Sequence, residues 1–250
     1  QLFNASYPTL ALSQAEGESV IQGSIDEDKG TRWLQHFYDP VYRRGLTIGK
    51  EWQSSKKWSE SRANNYSWDN AVYEYAWKDK ERGLLSLGHV LHLIEDASVP
   101  DHTRNDPHPG GHDPSPYEDW TKKFTRGNIE IEPTGQPILF PTLGDYFDSM
   151  AGYSNGNFFS EDTVFSKKYD KPTFVDQKSE IVDGNRYRYT YSMDQRGKRY
   201  KLTKVDITID TEEEEYSIDD NLVLSDYWRL LSREALSHGA GVVKLFFAEV

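Results

Sequence analysis

The chain has no cysteine. That removes disulfides and thiolate metal ligands, so any bound metal must be held by imidazole and carboxylate groups. The absence suits an oxidising compartment. No apolar run approaches the roughly 20 residues of a membrane-spanning helix, and the opening "QLFNASYPTLALSQ" has neither a basic start nor a long apolar centre. An exported chain, secreted or periplasmic, from which any signal has been removed is therefore expected. Positive charge is scarce as well: 29 Lys+Arg against 41 Asp+Glu leave a formal charge of -12. Such a balance excludes a surface built to condense on nucleic acid phosphates, and no stable nucleic-acid complex is expected. A local basic cleft stays allowed.

Aromatic residues, by contrast, are plentiful at 14 %, with 7 Trp and 16 Tyr among 250 residues. A chain of this length buries a substantial core. Ser13 followed by Glu16 reads as a capping box opening a short helix in which Val20, Ile21 and Ile25 recur at helical spacing. From Ser67 to Val99 the apolar steps predict two helices or one bent helix, with Leu84, Leu87, Leu91 and Ile94 on one side and Pro100 as the stop. The proline- and glycine-rich stretch 105–116 reads as a loop. "YEDWTKKF" and "LGDYFDSMAGY" each begin a helix, and the segment from Leu222 onward closes the chain with another. Between 164 and 218 apolar and polar residues alternate around the turn signals "DG" and "RG", which predicts a β-meander. The fold class expected is mainly α, a multi-helix domain over residues 1–250 with a strand-rich insertion before its last helix. "EEEE" at 212–215 reads as a solvated charge run.

Six of the seven histidines, His36, His89, His92, His102, His108 and His112, lie within 77 residues of one another. His92 and Asp96 stand at i and i+4 of a predicted helix, so both project from one face and can meet one cation. On spacing alone such a pair is more often a surface pair or a packed histidine. The continuation, Pro100 then His102, brings a third ligand type to the same helix end.

The string "HLIEDASVPDHTRND", residues 92–106, resembles the zinc-dependent phospholipase C family of bacteria, whose fold is shared with the single-strand-specific zinc nucleases. His92, Asp96, Pro100, His102 and Asn105 match the pattern; Glu95 stands where the family usually has glycine. The likeness extends upstream through "GSIDEDKGTRWLQHFYDP". It implies His36 as a zinc ligand, with an acidic partner among Asp26, Glu27 and Asp28. Asp28 is chosen for its distance from Gly23, although its interval to His36 is short for the family. Downstream the resemblance implies Glu118 and one further histidine, His108 or His112. It thus implies two Zn2+ sites, with Asp28, His36, His92 and Asp96 at one and His102, His108 or His112, and Glu118 at the other. A third zinc would need N-terminal ligands and a histidine ahead of His36. The chain has no such histidine, so either that metal is absent or, as the favoured expectation, a segment ahead of Gln1 supplies its ligands. His89 is expected as a packed or outer residue, His238 as structural, Tyr38 and Asp39 as capping and packing groups, and Glu95 and Asp101 as surface or outer charges.

By resemblance the function is hydrolysis of a phospholipid phosphodiester by activated water, with Asp28 both binding zinc and accepting a proton. Trp33 keeps the aromatic face the family turns toward a cationic head group, but Lys29 replaces its tyrosine. The alternatives are a zinc nuclease on the same fold and a non-catalytic extracellular structural or assembly protein. The insertion, with "NRYRYTYS" and "RGKRYKLTK", is expected either as decoration or as a peripheral membrane contact for anionic head groups. Oligomeric state is left open.

Overall fold

The computed structural model describes residues 1–108, 114–122, 135–207 and 213–250. Leu2–Ser6 (α1) is followed by Gln14–Glu27 (α2), a ribbon of Thr47–Ile48 (β1) and Lys50–Glu51 (β2), and Ser55–Ser59 (α3). Trp68–Trp77 (α4), Lys80–Asp96 (α5), Pro100–Thr103 (α6), Pro116–Lys122 (α7) and Leu143–Asn157 (α8) come next. Strands Phe174–Val182 (β3), Asn185–Met193 (β4), Arg199–Ile207 (β5) and Glu214–Ser217 (β6) then precede Asn221–Glu249 (α9). The chain is mainly helical, and the four strands form an antiparallel sheet in the order β3-β4-β5-β6. No described helix is long and apolar enough to cross a membrane.

Helix α5 is central. Leu84, Leu87, Val90, Leu93 and Ile94 are all buried, so both the predicted stripe and the residues beside it enter the core. Helices α2, α4 and α9 pack around it. Asp79 caps its start, accepting from the amides of Glu81 and Arg82. Two separate helices, not one bent helix, span 67–99, and Pro100 does not act as a stop. Helix α5 ends at Asp96, and Pro100 takes the first position of α6, where its missing N–H leaves no bond unmade.

The capping box at Ser13 and Glu16 is present and opens α2. Of its apolar residues Val20 packs against the core, whereas Ile21 and Ile25 are 56 % and 55 % exposed. The contact with α5 runs through glycine. A Cβ on Gly23 would lie 1.9 Å from the Leu85 carbonyl oxygen, and one on Gly88 would lie 2.1 Å from that of Val20. This close approach brings the end of α2, with Glu27 and Asp28, against the last two turns of α5. Gly23→Ala is therefore expected to lower stability by about 1–3 kcal/mol through overpacking, outweighing the gain of about 1 kcal/mol in helix propensity. Urea unfolding should show a lower midpoint at unchanged slope; an unchanged midpoint would mean the helices can part without cost.

The meander has the turns its sequence predicts. Asp183 and Gly184 both have positive φ, 50° and 80°, as a two-residue hairpin turn requires. Gly197, at φ 75°, closes the β4–β5 turn. Glu214 and Glu215 belong to β6, so the acidic run is partly a strand. Its cations find partners within the sheet: Arg188 with Glu214 at 2.7 Å, Arg199 with Asp176 at 2.6 Å and Lys201 with Glu180 at 3.3 Å. These pairs reduce the positive charge that the strands can offer to an anionic surface.

Candidate metal centre

Three local structures deliver the side chains. Asp28 caps the C-terminus of α2. His36 ends a 3-10 turn over Arg32–Gln35, and its backbone continues into Tyr38, whose amide donates to the His102 carbonyl at 3.2 Å. His92 and Asp96 lie one turn apart on α5, and His102 follows on α6. Asn105 secures the turn after α6. Its backbone takes φ 50°, a conformation asparagine tolerates. Its side chain donates to the Gly45 carbonyl at 2.7 Å and accepts from the Thr47 amide at 3.1 Å, tying the segment behind His36 to the motif.

His36 Nδ1 lies 3.0 Å and His92 Nε2 3.3 Å from Asp96 Oδ2. Asp28 Oδ1 lies 3.4 Å from His92 Nε2 and 3.9 Å from His36 Nδ1. Tetrahedral coordination at about 2.0–2.1 Å sets ligand atoms roughly 3.3 Å apart; Asp28, His36 and His92 offer atoms within 4.8 Å of one another, and Asp96 Oδ2 lies beside both imidazoles. In a second group His102 Nε2 faces Glu118 Oε1 at 3.1 Å and His108 Nε2 faces Glu118 Oε2 at 3.4 Å. Both groups fit a divalent metal ion. They are joined through Asp96, whose Oδ1 lies 3.3 Å from His102 Nδ1.

Buried polar atoms are nearly always hydrogen-bonded. Here His36 Nε2, His92 Nε2, Asp96 Oδ2 and His102 Nδ1 are buried without a hydrogen bond. His92 Nε2 and Asp96 Oδ2 face each other across the gap that a cation would fill, which is the observation that most favours a metal.

The electrostatics agree with a site of paired opposite charges. Burial alone would lower His92, but the Asp96 and Asp28 carboxylates outweigh it and push the imidazole up to about 11. The same opposition, with Asp96 and Glu118 as partners, raises His102 to about 10. Burial opposes ionisation of Asp96, yet His36, His92 and His102 hold it well below the usual carboxylate range. Glu118 is likewise held low against its burial by His102 and His108. His36 is the exception: burial lowers it more than Asp96 raises it.

Of the predicted site residues, the described structure brings together Asp28, His36, His92 and Asp96, and separately His102, His108 and Glu118. His112 lies outside the described residues. Trp33, 38 % exposed, lines a cleft of about 670 Å³ over both groups, together with Phe37, Val99, Thr121 and Lys122. Those last four escaped the sequence reading. Thr121 and Lys122 stand three and four residues after Glu118, so helical spacing alone puts them on its face.

The residues expected outside the ligand set are placed as follows. His89 is buried against Glu27, and His238 contacts Ser149 Oγ at 3.0 Å and the Glu234 carbonyl at 2.9 Å. Asp39 accepts from the amides of Val41 and Tyr42, and Tyr38 donates to Asp148 at 2.6 Å. Glu95 is exposed. Asp101 is not a surface charge: it is buried, and burial pushes its carboxyl up to about 7. None of the known protein-family models matches the chain, and no curated protein matches it either.

Proposed function

We propose that this protein is an exported zinc-dependent phosphodiesterase of phospholipase C type. The reading rests on the two ligand groups sharing Asp96 at the floor of an open cleft. All the ligand atoms are imidazole nitrogen or carboxylate oxygen, a normal set for zinc. When bound, divalent ions supply Lewis acidity to phosphoryl oxygens and lower the pKa of an attacking water to roughly 7. Two such ions outweigh the charge of Asp28, Asp96 and Glu118, so the cleft attracts a phosphate diester although the chain as a whole is acidic.

The protein's own residues divide the remaining work. Asp28 stands at the cleft mouth with its side chain 67 % exposed, where a carboxylate oxygen can accept a proton from incoming water. Asp96 and His102 are buried and hold their groups in place. Trp33, Phe37 and Val99 offer an apolar wall to the organic part of a substrate, and Lys122, 3.8 Å from Glu118 Oε2, adds a positive charge at the rim.

The test is hydrolysis by the protein loaded with Zn2+ and stripped by chelator, offered bis(p-nitrophenyl) phosphate, phosphatidylcholine vesicles and single-stranded DNA. Release of phosphocholine that stops on chelation and returns with Zn2+ is the expected result. Turnover of DNA alone would make the protein a nuclease. Zinc binding without turnover of any diester would leave a non-catalytic assembly protein.

A further inference from the structure

Glu27 precedes Asp28 in sequence but points the other way. Where Asp28 opens into the cleft, Glu27 is 0 % exposed. Burying a carboxylate is costly unless its charge is paired and its oxygens are hydrogen-bonded, and this one is held on nearly every side. Oε2 accepts from Arg32 Nε at 2.7 Å and pairs with His89 Nδ1 at 2.5 Å. Arg32 Nη2 also reaches Oε2 and Asn64 Oδ1 at 3.0 Å. The surroundings are rigid: Tyr66 stacks on the His89 ring at 3.9 Å and 4°, and the Arg32 guanidinium lies over both Trp58 and Tyr66.

The two carboxylate oxygens are unequally used. Oε2 has its donors, whereas among the described residues Oε1 accepts only from Trp58 Nε1, at 3.3 Å. Across from Oε1, at 3.9 Å, is His36 Nε2, one of the buried nitrogens without a hydrogen bond. The other nitrogen of the same ring, Nδ1, faces Asp96 and Asp28. An acceptor with spare capacity and a buried ring nitrogen without a hydrogen bond thus stand opposite each other behind a candidate ligand. The 3.0 Å between His36 Nδ1 and Asp96 Oδ2 is shorter than the roughly 3.3 Å separation across a tetrahedral ion. Opening that gap by ~0.3 Å would carry the ring only part of the way from 3.9 Å to hydrogen-bond distance of Glu27 Oε1.

We propose that Glu27 is the positioning residue for His36: it accepts the Nε2–H, fixes the tautomer that leaves Nδ1 bare, and holds the ring toward Asp28 and Asp96. The inference rests on the metal reading of the site. Arg32, His89 and Trp58 hold the Glu27 carboxylate in place. Metal-ligating histidines commonly donate their second N–H in this way, and loss of the outer acceptor weakens binding about 10–100-fold.

The experiment titrates Zn2+ into the full chain and into Glu27→Gln. Co2+ spectra resolve the two sites, and 15N shifts report the His36 tautomer. In the wild type His36 should bind through Nδ1 and keep a proton on Nε2. In Glu27→Gln the site of Asp28, His36 and His92 should lose about 10–100-fold in affinity, while that of His102, His108 and Glu118 stays within a few-fold. A purely structural role for Glu27 would lower the melting temperature without this selectivity. Equal affinities in variant and wild type, equal loss at both sites, or coordination of His36 through Nε2 would overturn the proposal and leave the metal reading intact. The tautomer measurement stands on the wild type alone, so it decides the matter even where the variant fails to fold. A wild-type protein that binds no Zn2+ would remove both.

Discussion

Asp96→Asn should eliminate ion binding at the Asp28, His36 and His92 group and lower phosphodiesterase activity by roughly 10³-fold or more, beyond the 10–100-fold typical of losing an outer partner. The expectation follows from the two-sided use of this carboxylate. Oδ2 faces His36 and His92, and Oδ1 faces His102 Nδ1. Asparagine keeps the shape, but it removes the charge and leaves one acceptor oxygen where the carboxylate has two, so it cannot serve His36 and His92 on one side and His102 on the other. The second group should weaken too, by about 10–100-fold. Without metal the variant should also be less stable, because His92 and His102 each lose one of the two carboxylates that keep them protonated inside the protein. Removing one partner of a buried pair costs about 3–5 kcal/mol. Release of the two imidazole protons relieves part of that, so about 1–3 kcal/mol is expected in urea unfolding near pH 6. A variant that still takes up two ions with wild-type affinity would show that Asp96 is not shared between the groups.

What could be read from the chain, and what could not, divides at the distance over which the physics acts. His92, Asp96 and His102 were legible because one helical turn and one proline-initiated turn place them together without help from the rest of the fold. The capping box at Ser13 and the Asp183-Gly184 turn are local in the same sense. The choice between Glu27 and Asp28 was not local. One residue along a helix rotates the side chain by about 100°, and only the packing of α2 on α5 decides which carboxylate enters the cleft. Gly23 and Gly88 make that packing, but a glycine looks the same in a sequence whether it touches another backbone or water. The helical spacing of Val20, Ile21 and Ile25 holds, yet only Val20 packs against the core, while Ile21 and Ile25 face outward. Pro100 was misjudged in a related way: a proline ends one helix or starts the next, and the three residues between Asp96 and Pro100 decide which. His36 joins Asp96 across 60 residues of chain, and its place was reached through resemblance to a family rather than from spacing.

Binding of the ions should release about one proton per site at pH 7. His92 and His102 stand at about 11 and about 10 without metal, so both are protonated at neutral pH, and an imidazole nitrogen must shed its proton before it can coordinate. The sign of the stability effect is opposite in the metal-free protein. A histidine raised above its ordinary value contributes most below about pH 6.5 and loses that contribution as pH climbs through its folded value. Asp96 and Glu118, held low, contribute above the usual carboxylate range and lose it as pH falls. Metal-free stability should therefore decline on the alkaline side between roughly pH 6.5 and 11. Over the part of that range where the histidines remain protonated, Zn2+ affinity should rise about tenfold per pH unit at each site. Calorimetry at pH 7 in two buffers of different ionisation heat measures the released protons directly. A count near zero would mean that the imidazoles are already neutral, and that the carboxylates around them serve the ions rather than the histidines.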